Sequence, residues 1–382
     1  MHCISGTGPR TCWDAAVHRA RGVANDAAAL GEETLVRRAR GRRNATRHTL
    51  AVVFVWWNSS EAKPALERLH SALGRCLGDQ MSIDVIVNND EELPTIDLPG
   101  VVVARGDNCA AEFSGYDAGI GARRERSSSP DVWLICNDRY DAYLDGFGEL
   151  PLGDVVDLLA SCPAVCGQLD QFPEPVWWTG RDMTRWVRSS FVFIDDRTLR
   201  TLGTLVSCDG AHLDDLVPAV LPAREAPFPR LGRYGDYLGD WLTGSQRTPA
   251  RQRWYGARSL DEMSWPALRR KAQSILNEHL LSARVRDLGV AIIGLRQLSA
   301  YIGAGASPSQ IARVVRDCPQ GFAVDHERPM AKLASLARAV ALGLSNSWRS
   351  LLLIPPSAVP PREPIRGNDL QGGVARTTIR KA

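Results

Sequence analysis

The feature that most constrains the fold is a run of apolar residues at positions 50–58, with the sequence LAVVFVWWN. This run is continuous, and it is rich in β-branched and aromatic side chains. That pattern is typical of a strand buried on both faces, as in the interior of a parallel sheet. A helical repeat of apolar residues follows at once, from Ser59 to Leu77. We therefore expect a chain of alternating strands and helices built on a parallel sheet.

Further segments continue this alternation. Strands are predicted at Ser82–Asp90, Gly100–Gly106 and Asp131–Asp138, and a helix is predicted at Cys109–Arg124. The order is typical of an α/β fold with an open, doubly wound, mainly parallel sheet flanked by helices. Ligands of such sheets bind beyond the carboxyl ends of the strands.

The four predicted strands all end in polar residues, which are Asn58, Asn88–Asp90, Gly106–Asn108 and Asn137–Asp138. Asn and Asp favour turns, so any one of these ends has an ordinary structural explanation. Because parallel strands end at the same edge of a sheet, the four together indicate a site for a polar ligand.

The rest of the chain divides by composition. Residues 1–47 are expected to be a weakly ordered, Arg-rich extension, residues 48–250 the main α/β domain, residues 251–355 a helical C-terminal region, and residues 356–382 a disordered tail. Residues 258–300 are predicted to be helical throughout. A strand is predicted at Ser189–Asp195, with Asp195 or Asp196 capping the helix that follows it.

Composition also excludes several classes of protein. The net charge of +3 gives no general attraction to nucleic acid. The nine cysteines lack the paired spacing of zinc sites. No signal-peptide pattern and no run of 18 apolar residues is visible, which favours a cytoplasmic protein.

Three segments resemble a known family. ARGDNCAAEFSGYDAGIGAR (104–123) is similar to a conserved stretch of family 2 glycosyltransferases, and VWLICNDRYDAY (132–143) to the strand before their D-x-D element. RWVRSSFVFIDDRTLRTLG (185–203) resembles the acceptor-side strand and helix of bacterial polysaccharide glycosyltransferases of the rhamnan-synthesis type. Asn88 and Asp117 stand where the family has Asp and Asn, and Asp141 comes one position late for D-x-D.

The resemblance implies a GT-A-type glycosyltransferase. Such an enzyme moves a sugar from a nucleotide-diphosphate donor to a glycan or lipid-linked acceptor, here with inversion and in the synthesis of a bacterial surface polysaccharide or glycoconjugate. The reduced D-x-D element keeps an alternative open, a catalytically inactive GT-A-like binding or assembly subunit.

The chemistry assigns roles to these residues. Asp138 is the candidate ligand of Mg²⁺ or Mn²⁺, which would neutralise the departing diphosphate; the alternative is a turn-forming Asp. Arg139 could pair with a phosphate instead. The remaining candidate donor-binding residues are Asn58, Asn88, Asn89, Asp90, Asn108 and Asn137.

Inverting transfer needs a carboxylate that takes the proton of the acceptor hydroxyl. The candidates are Asp236 and Asp182, and the alternative for each is an ordinary surface carboxylate. Trp177, Trp178 and Trp186 are candidates for packing on acceptor sugar rings, or else for packing within the protein.

Residues 331–354 form a basic amphipathic segment. It could lie in the headgroup region of the inner face of the membrane, near a lipid-linked acceptor. The alternative is that its apolar face packs on the main domain.

Overall fold

The computed structural model describes residues 48–57, 59–127, 129–144, 147–172, 174–221, 227–244, 254, 256–303 and 305–317. Asn58 and the segments 1–47, 331–354 and 356–382 lie outside the described residues, so the expectations for them stay predictions.

The described residues contain one large sheet and a short hairpin. The strands are β1 (Leu50–Trp56), β2 (Met81–Val87), β3 (Val101–Arg105), β4 (Cys109–Ala111), β5 (Val132–Asn137), β6 (Ala164–Gln171), β7 (Trp177–Trp178), β8 (Arg181–Asp182), β9 (Arg185–Asp195) and β10 (Ala291–Gly294). Seven of them form the sheet, in the order β10-β6-β9-β5-β1-β2-β3, and β7 pairs with β8.

Helices separate the strands along the chain. They are α1 (Ser59–Leu77), α2 (Glu112–Arg126), α3 (Tyr140–Tyr143), α4 (Leu152–Ser161), α5 (Asp196–Leu202), α6 (Gly210–Leu216), α7 (Gly232–Thr243), α8 (Trp265–Asp287), α9 (Leu295–Gly303) and α10 (Pro308–Asp317). One face of the sheet is covered by α1, α4, α9 and α10. The other face is covered by α2, α5 and the second half of α8.

All strand pairs in the sheet are parallel except those of β9, which is antiparallel to both β5 and β6. The predicted fold class, an α/β fold with an open and mainly parallel sheet flanked by helices, is therefore confirmed. Every residue of β1 is buried, as its continuous apolar run predicts. Asp195 caps α5 by accepting the Thr198 N–H at 2.9 Å, which is also as predicted.

The expectation of an all-helical segment at 258–300 is wrong at its start and again near its end. Residues 258–264 form no helix, since α8 begins at Trp265. Residues 291–294 form β10, which pairs in parallel with β6 and extends the sheet at that edge. Its four residues are all buried. A strand this short lies between two strongly periodic helices, so helical periodicity conceals it.

Close packing of α2 on β1 depends on two glycines. A Cβ at Gly119 would lie 2.4 Å from a methyl carbon of Val53, and one at Gly115 would lie 2.9 Å from Val55. Only glycine allows this approach, which brings the amino end of α2 against the carboxyl end of the sheet.

A third apolar cluster lies beside this edge. It joins α6, α7 and the first half of α8 to the β7–β8 hairpin through buried side chains such as Phe228, Tyr234 and Trp265. This smaller lobe borders the sheet edge at which the candidate residues lie.

Candidate functional site

The ends of β2 and β3 are joined by a buried amide. Asn88 has no exposed surface. Its Oδ1 accepts the Asn108 N–H at 3.0 Å, and its Nδ2 donates to the Ala111 carbonyl at 2.7 Å. The prediction that Asn88 contacts the donor therefore needs correction, because its side chain holds the loop and presents no atom to a ligand.

Asp138 makes a comparable link between β5 and β1. Its carboxylate Oδ2 accepts the Trp57 N–H at 2.8 Å, and the residue is only 1% exposed. Its backbone N–H donates to the Val55 carbonyl. The carboxylate thus lies at the predicted edge of the sheet, but under the backbone that follows β1.

The neighbouring polar residues are also engaged within the protein. Asn89 donates to the Trp57 carbonyl at 2.6 Å, and Asn137 accepts the Arg139 N–H at 3.1 Å. Arg139 forms an ion pair with Glu61 at 2.6 Å. Each of these residues lies at the expected edge, and their roles toward a donor stay predictions.

The loop from β3 to α2 carries a polar atom without a partner at this edge. Asp90 beside it is exposed. Asn108 is half-buried, and its Oδ1 has no hydrogen-bond partner among the described residues. Asn108 and Ala111 both have positive φ, of 54° and 53°. With ψ at −141°, Ala111 lies in a region that favours glycine, and such strain is frequent at binding sites.

Strand β9 bulges where it reaches the same edge. From the pair Val187–Leu169 to the pair Val192–Gly167, the chain runs five positions along β9 but only two positions along β6. The bulge releases the Ser189 N–H from the sheet, and this N–H donates to Glu278 Oε2 at 2.7 Å. Bulges of this kind are common next to active sites.

Three distant segments meet at Ser189. Its Oγ lies 2.6 Å from Glu278 Oε2 and 3.2 Å from Glu112 Oε1. Glu112 also accepts the Ser274 hydroxyl at 2.9 Å. Burial raises the pKa of the Glu278 carboxyl, although the hydrogen bonds from Ser189 and the charge of Lys271 act to lower it.

This pair of glutamates leaves little signal in the sequence and is absent from the predicted site residues. Glu112 lies inside the segment that resembles family 2, but it matches no conserved position of that stretch. Glu278 stands in a mostly apolar stretch of α8, SILNEHLL, and an acidic residue in such surroundings was the one available signal.

Two of the three candidate acceptor tryptophans pack inside the smaller lobe. The ring centroids of Trp186 and His279 lie 4.0 Å apart, and those of the stacked rings of Trp178 and Tyr234 lie 5.9 Å apart. Burial lowers the pKa of His279 to about 3, so its ring is neutral. Trp177 is 47% exposed, which leaves it the tryptophan of the three most open to a sugar.

The two candidate bases differ in their surroundings. Asp182 is half-buried and accepts the Thr184 N–H at 2.8 Å, which is a turn-forming contact. Asp236 is exposed on α7. Their catalytic role stays a prediction.

The part of the chain that the structure describes has no group of three or more His, Cys, Asp or Glu side chains arranged for a metal. Asp141, the late carboxylate of the D-x-D-like element, is bound by Arg68. Asp138 therefore remains as a single carboxylate. One protein carboxylate is within what Mg²⁺ accepts when phosphate and water supply the other ligands.

None of the helices in the described ranges is both long and apolar enough to cross a bilayer.

Comparisons with known proteins give similarities to solved structures and none to family models or curated sequences. No protein-family model matches the chain, and no curated protein matches its sequence. Among solved structures, the mannosyltransferase PcManGT from Pyrobaculum calidifontis, in complex with GDP-mannose and Mn²⁺, is similar with 11% identity and a TM-score of 0.30. The similarity covers 86% of this chain and 92% of that chain. The donor and the ion belong to the mannosyltransferase.

Proposed function

We propose that this protein is a glycosyltransferase that moves a sugar from a nucleotide-diphosphate donor to a glycan or lipid-linked acceptor. The observation that supports it is the convergence at one sheet edge. The ends of β2, β3 and β5, the bulge of β9 and the start of α2 bring amide, carboxylate and hydroxyl groups together there. This is the edge at which open α/β sheets bind their ligands.

The β3–α2 loop is the proposed place of the nucleoside. The Oδ1 of Asn108 is buried and has no partner among the described residues, so a ribose hydroxyl or a base amine that enters the loop would supply its missing hydrogen bond. Asp90 is exposed beside it and can accept from the second ribose hydroxyl. Asn88 acts through the loop, since its two hydrogen bonds hold the backbone of Asn108 and Ala111 in place.

The diphosphate is proposed to lie near the end of β5, where Asp138 would hold a divalent ion. A Mg²⁺ or Mn²⁺ ion bound there neutralises the negative charge that develops on the departing diphosphate. Arg139 lies next to this position and can bind a phosphate oxygen if it leaves Glu61.

The Glu112–Ser189–Glu278 group is proposed as a further candidate for handling the acceptor proton, beside Asp182 and Asp236. The Ser189 hydroxyl has one proton for its two carboxyl contacts, so the second contact requires a proton on one carboxyl group. The raised pKa of Glu278 favours that residue as the protonated one. Glu112 then accepts two hydroxyl groups, from Ser189 and Ser274.

Sugar-nucleotide hydrolysis by the purified protein tests this function. UDP-, GDP-, dTDP- and CDP-sugars are incubated with the wild type, with Asp138→Asn and with Asp79→Asn as the control. Asparagine keeps an oxygen for the Trp57 N–H and removes the charge, so the fold should survive. Asp79 precedes β2 and lies at the other edge of the sheet, so its variant should match the wild type.

We expect hydrolysis of one donor class, its loss in Asp138→Asn, and inhibition by a chelator. Full activity in the chelator would remove the metal from the proposal and leave Arg139 as the phosphate partner. If the protein neither binds nor hydrolyses any donor, the glycosyltransferase proposal itself is contradicted.

One observation favours a second candidate, an inactive GT-A-like binding or assembly subunit. Asp138 is almost inaccessible and Asp141 is held by Arg68, which leaves few carboxylates for a metal. A thermal shift with a sugar nucleotide, without hydrolysis, would favour this candidate.

The narrower expectations belong to the same proposal. They are inversion at the anomeric carbon, transfer of a hexose or deoxyhexose, the family 2 and rhamnan-synthesis type, and work on bacterial surface polysaccharides at the inner face of the membrane. They rest on the resemblance of residues 104–123, 132–143 and 185–203, and an anomeric assignment of the product by NMR tests the first of them.

A further inference from the structure

A cavity of about 390 Å³ lies at the opposite edge of the sheet. Strands β6 and β10 begin at this edge and the antiparallel β9 ends there, so α5 starts beside the cavity. One wall is apolar and includes Leu288, Val290 and Val315. The candidate site described above uses none of these residues.

The polar wall carries cationic groups without partners. Arg197 of α5 and Arg316 of α10 both line the cavity and are both exposed. In the described ranges, neither guanidinium takes part in an ion pair or a side-chain hydrogen bond. Arginines on two different helices therefore present unmatched donors to one space.

A buried hydroxyl adds an independent observation. Thr198 also lines the cavity and is 3% exposed, and its Oγ1 has no partner among the residues described. A buried hydroxyl without a hydrogen bond is costly, and such groups are few in native proteins. A ligand oxygen in the cavity would supply the missing bond.

The carboxylate at the start of α5 is engaged with the backbone. Asp195 accepts the backbone N–H groups of Ala164 at 3.0 Å and of Thr198 at 2.9 Å, one on each oxygen. Two guanidinium groups and one hydroxyl donor suit an anion with three oxygens, and phosphate meets that need better than a carboxylate with two.

We propose that this cavity binds a small organic phosphate. The phosphate group contacts Arg197, Arg316 and the Thr198 hydroxyl, and the organic part packs against Leu288, Val290 and Val315. The inference does not depend on the proposed glycosyltransferase function.

Calorimetric titration of the full chain with phenyl phosphate and with inorganic phosphate tests the proposal. Phenyl phosphate should bind more tightly, because it also fills the apolar wall. Arg197→Ala and Arg316→Ala should each weaken binding at least tenfold. Arg270→Ala is the control, since Arg270 is exposed near the other end of α8, about 27 Å from Leu288 along the helix.

Thr198→Val separates binding from folding. Valine has the same shape and no hydroxyl, so phosphate binding should weaken while the Tm of the free protein stays equal or rises. Asp138→Asn should bind phosphate as the wild type does. Phosphate binding that is kept at wild-type strength in both arginine variants would place the ligand elsewhere and overturn the proposal, as would the absence of binding at millimolar phenyl phosphate.

Discussion

Replacing Glu278 by glutamine should reveal whether this buried carboxyl carries a proton. In the wild type one oxygen, Oε2, contacts both the N–H and the hydroxyl of Ser189. The amide oxygen of glutamine can take the place of Oε2 and accept from both groups, and the variant has no proton to release. At acidic pH its free energy of unfolding should lie within about 1 kcal/mol of the wild type, because the Ser189 N–H keeps its acceptor.

The change of the free energy of unfolding with pH shows whether Glu278 is protonated in the folded protein. Burial raises the pKa of Glu278 above its ordinary value of 4.5, so the folded protein keeps a proton that the unfolded chain releases. As pH rises from about 4.5 toward the raised pKa, the wild type should lose stability relative to Glu278→Gln. The loss can reach about 1.4 kcal/mol per pH unit in this window, and it ends above the raised pKa.

Urea unfolding of both proteins from pH 4 to 8 measures the difference. Glu67→Gln, an exposed carboxyl of α1, serves as a control for removing a carboxylate without the buried contacts. Glu278→Ala should lose about 1 to 3 kcal/mol across the range, because the Ser189 N–H is left without its acceptor. The reasoning is refuted if the wild type gains stability relative to Glu278→Gln as pH rises, or if the difference does not change.

Three further predictions concern the loop and the C-terminal region. Asn88→Ala should lower the free energy of unfolding, measured in urea, by about 2 to 4 kcal/mol, because two backbone groups lose their hydrogen-bond partner. A loss under 1 kcal/mol would contradict the role of Asn88 in holding the loop. Ala111→Gly should raise the Tm. Glycine removes backbone strain of about 1 to 3 kcal/mol at this φ and ψ, and the greater freedom of the unfolded chain offsets about 1 kcal/mol of that gain. A lower Tm would show that Ala111 is not strained. Flotation with anionic vesicles should be stronger for the full chain than for a chain ending at Arg328, and equal flotation would assign residues 331–354 to the fold.

The strands were predictable where their burial produces a continuous apolar run in the sequence. Strands β1, β2, β3 and β5 are apolar runs bounded by polar residues, and their bounds differ from the prediction by a few residues. Strand β6 was missed because it turns polar after Gly167, and β10 because it has four residues between helices. The antiparallel direction of β9 depends on how the chain returns to the sheet, which no local pattern contains.

The sequence predicted the location of the candidate site, but not which side chains face a ligand there. Parallel strands must end at one edge, so the residues after β2, β3 and β5 had to lie near one another. Periodicity does not tell whether an Asn at a strand end faces a ligand or the backbone, and Asn88 faces the backbone. The contacts of Glu278 cross 89 positions to Ser189, and they require the bulge in β9.

That bulge gives Glu278 a structural role whatever reaction the protein performs. In a regular strand the Ser189 N–H would pair with a neighbouring strand, whereas here Glu278 accepts it. Loss of activity in Glu278→Ala would therefore not establish a catalytic role, because the bulge itself would be disturbed. Glu278→Gln keeps the acceptor and removes only the exchangeable acid. If donor hydrolysis survives in Glu278→Gln and fails in Glu278→Ala, the residue positions Ser189; if it fails in both while the Tm of Glu278→Gln is unchanged, the carboxyl group takes part in the proton transfer.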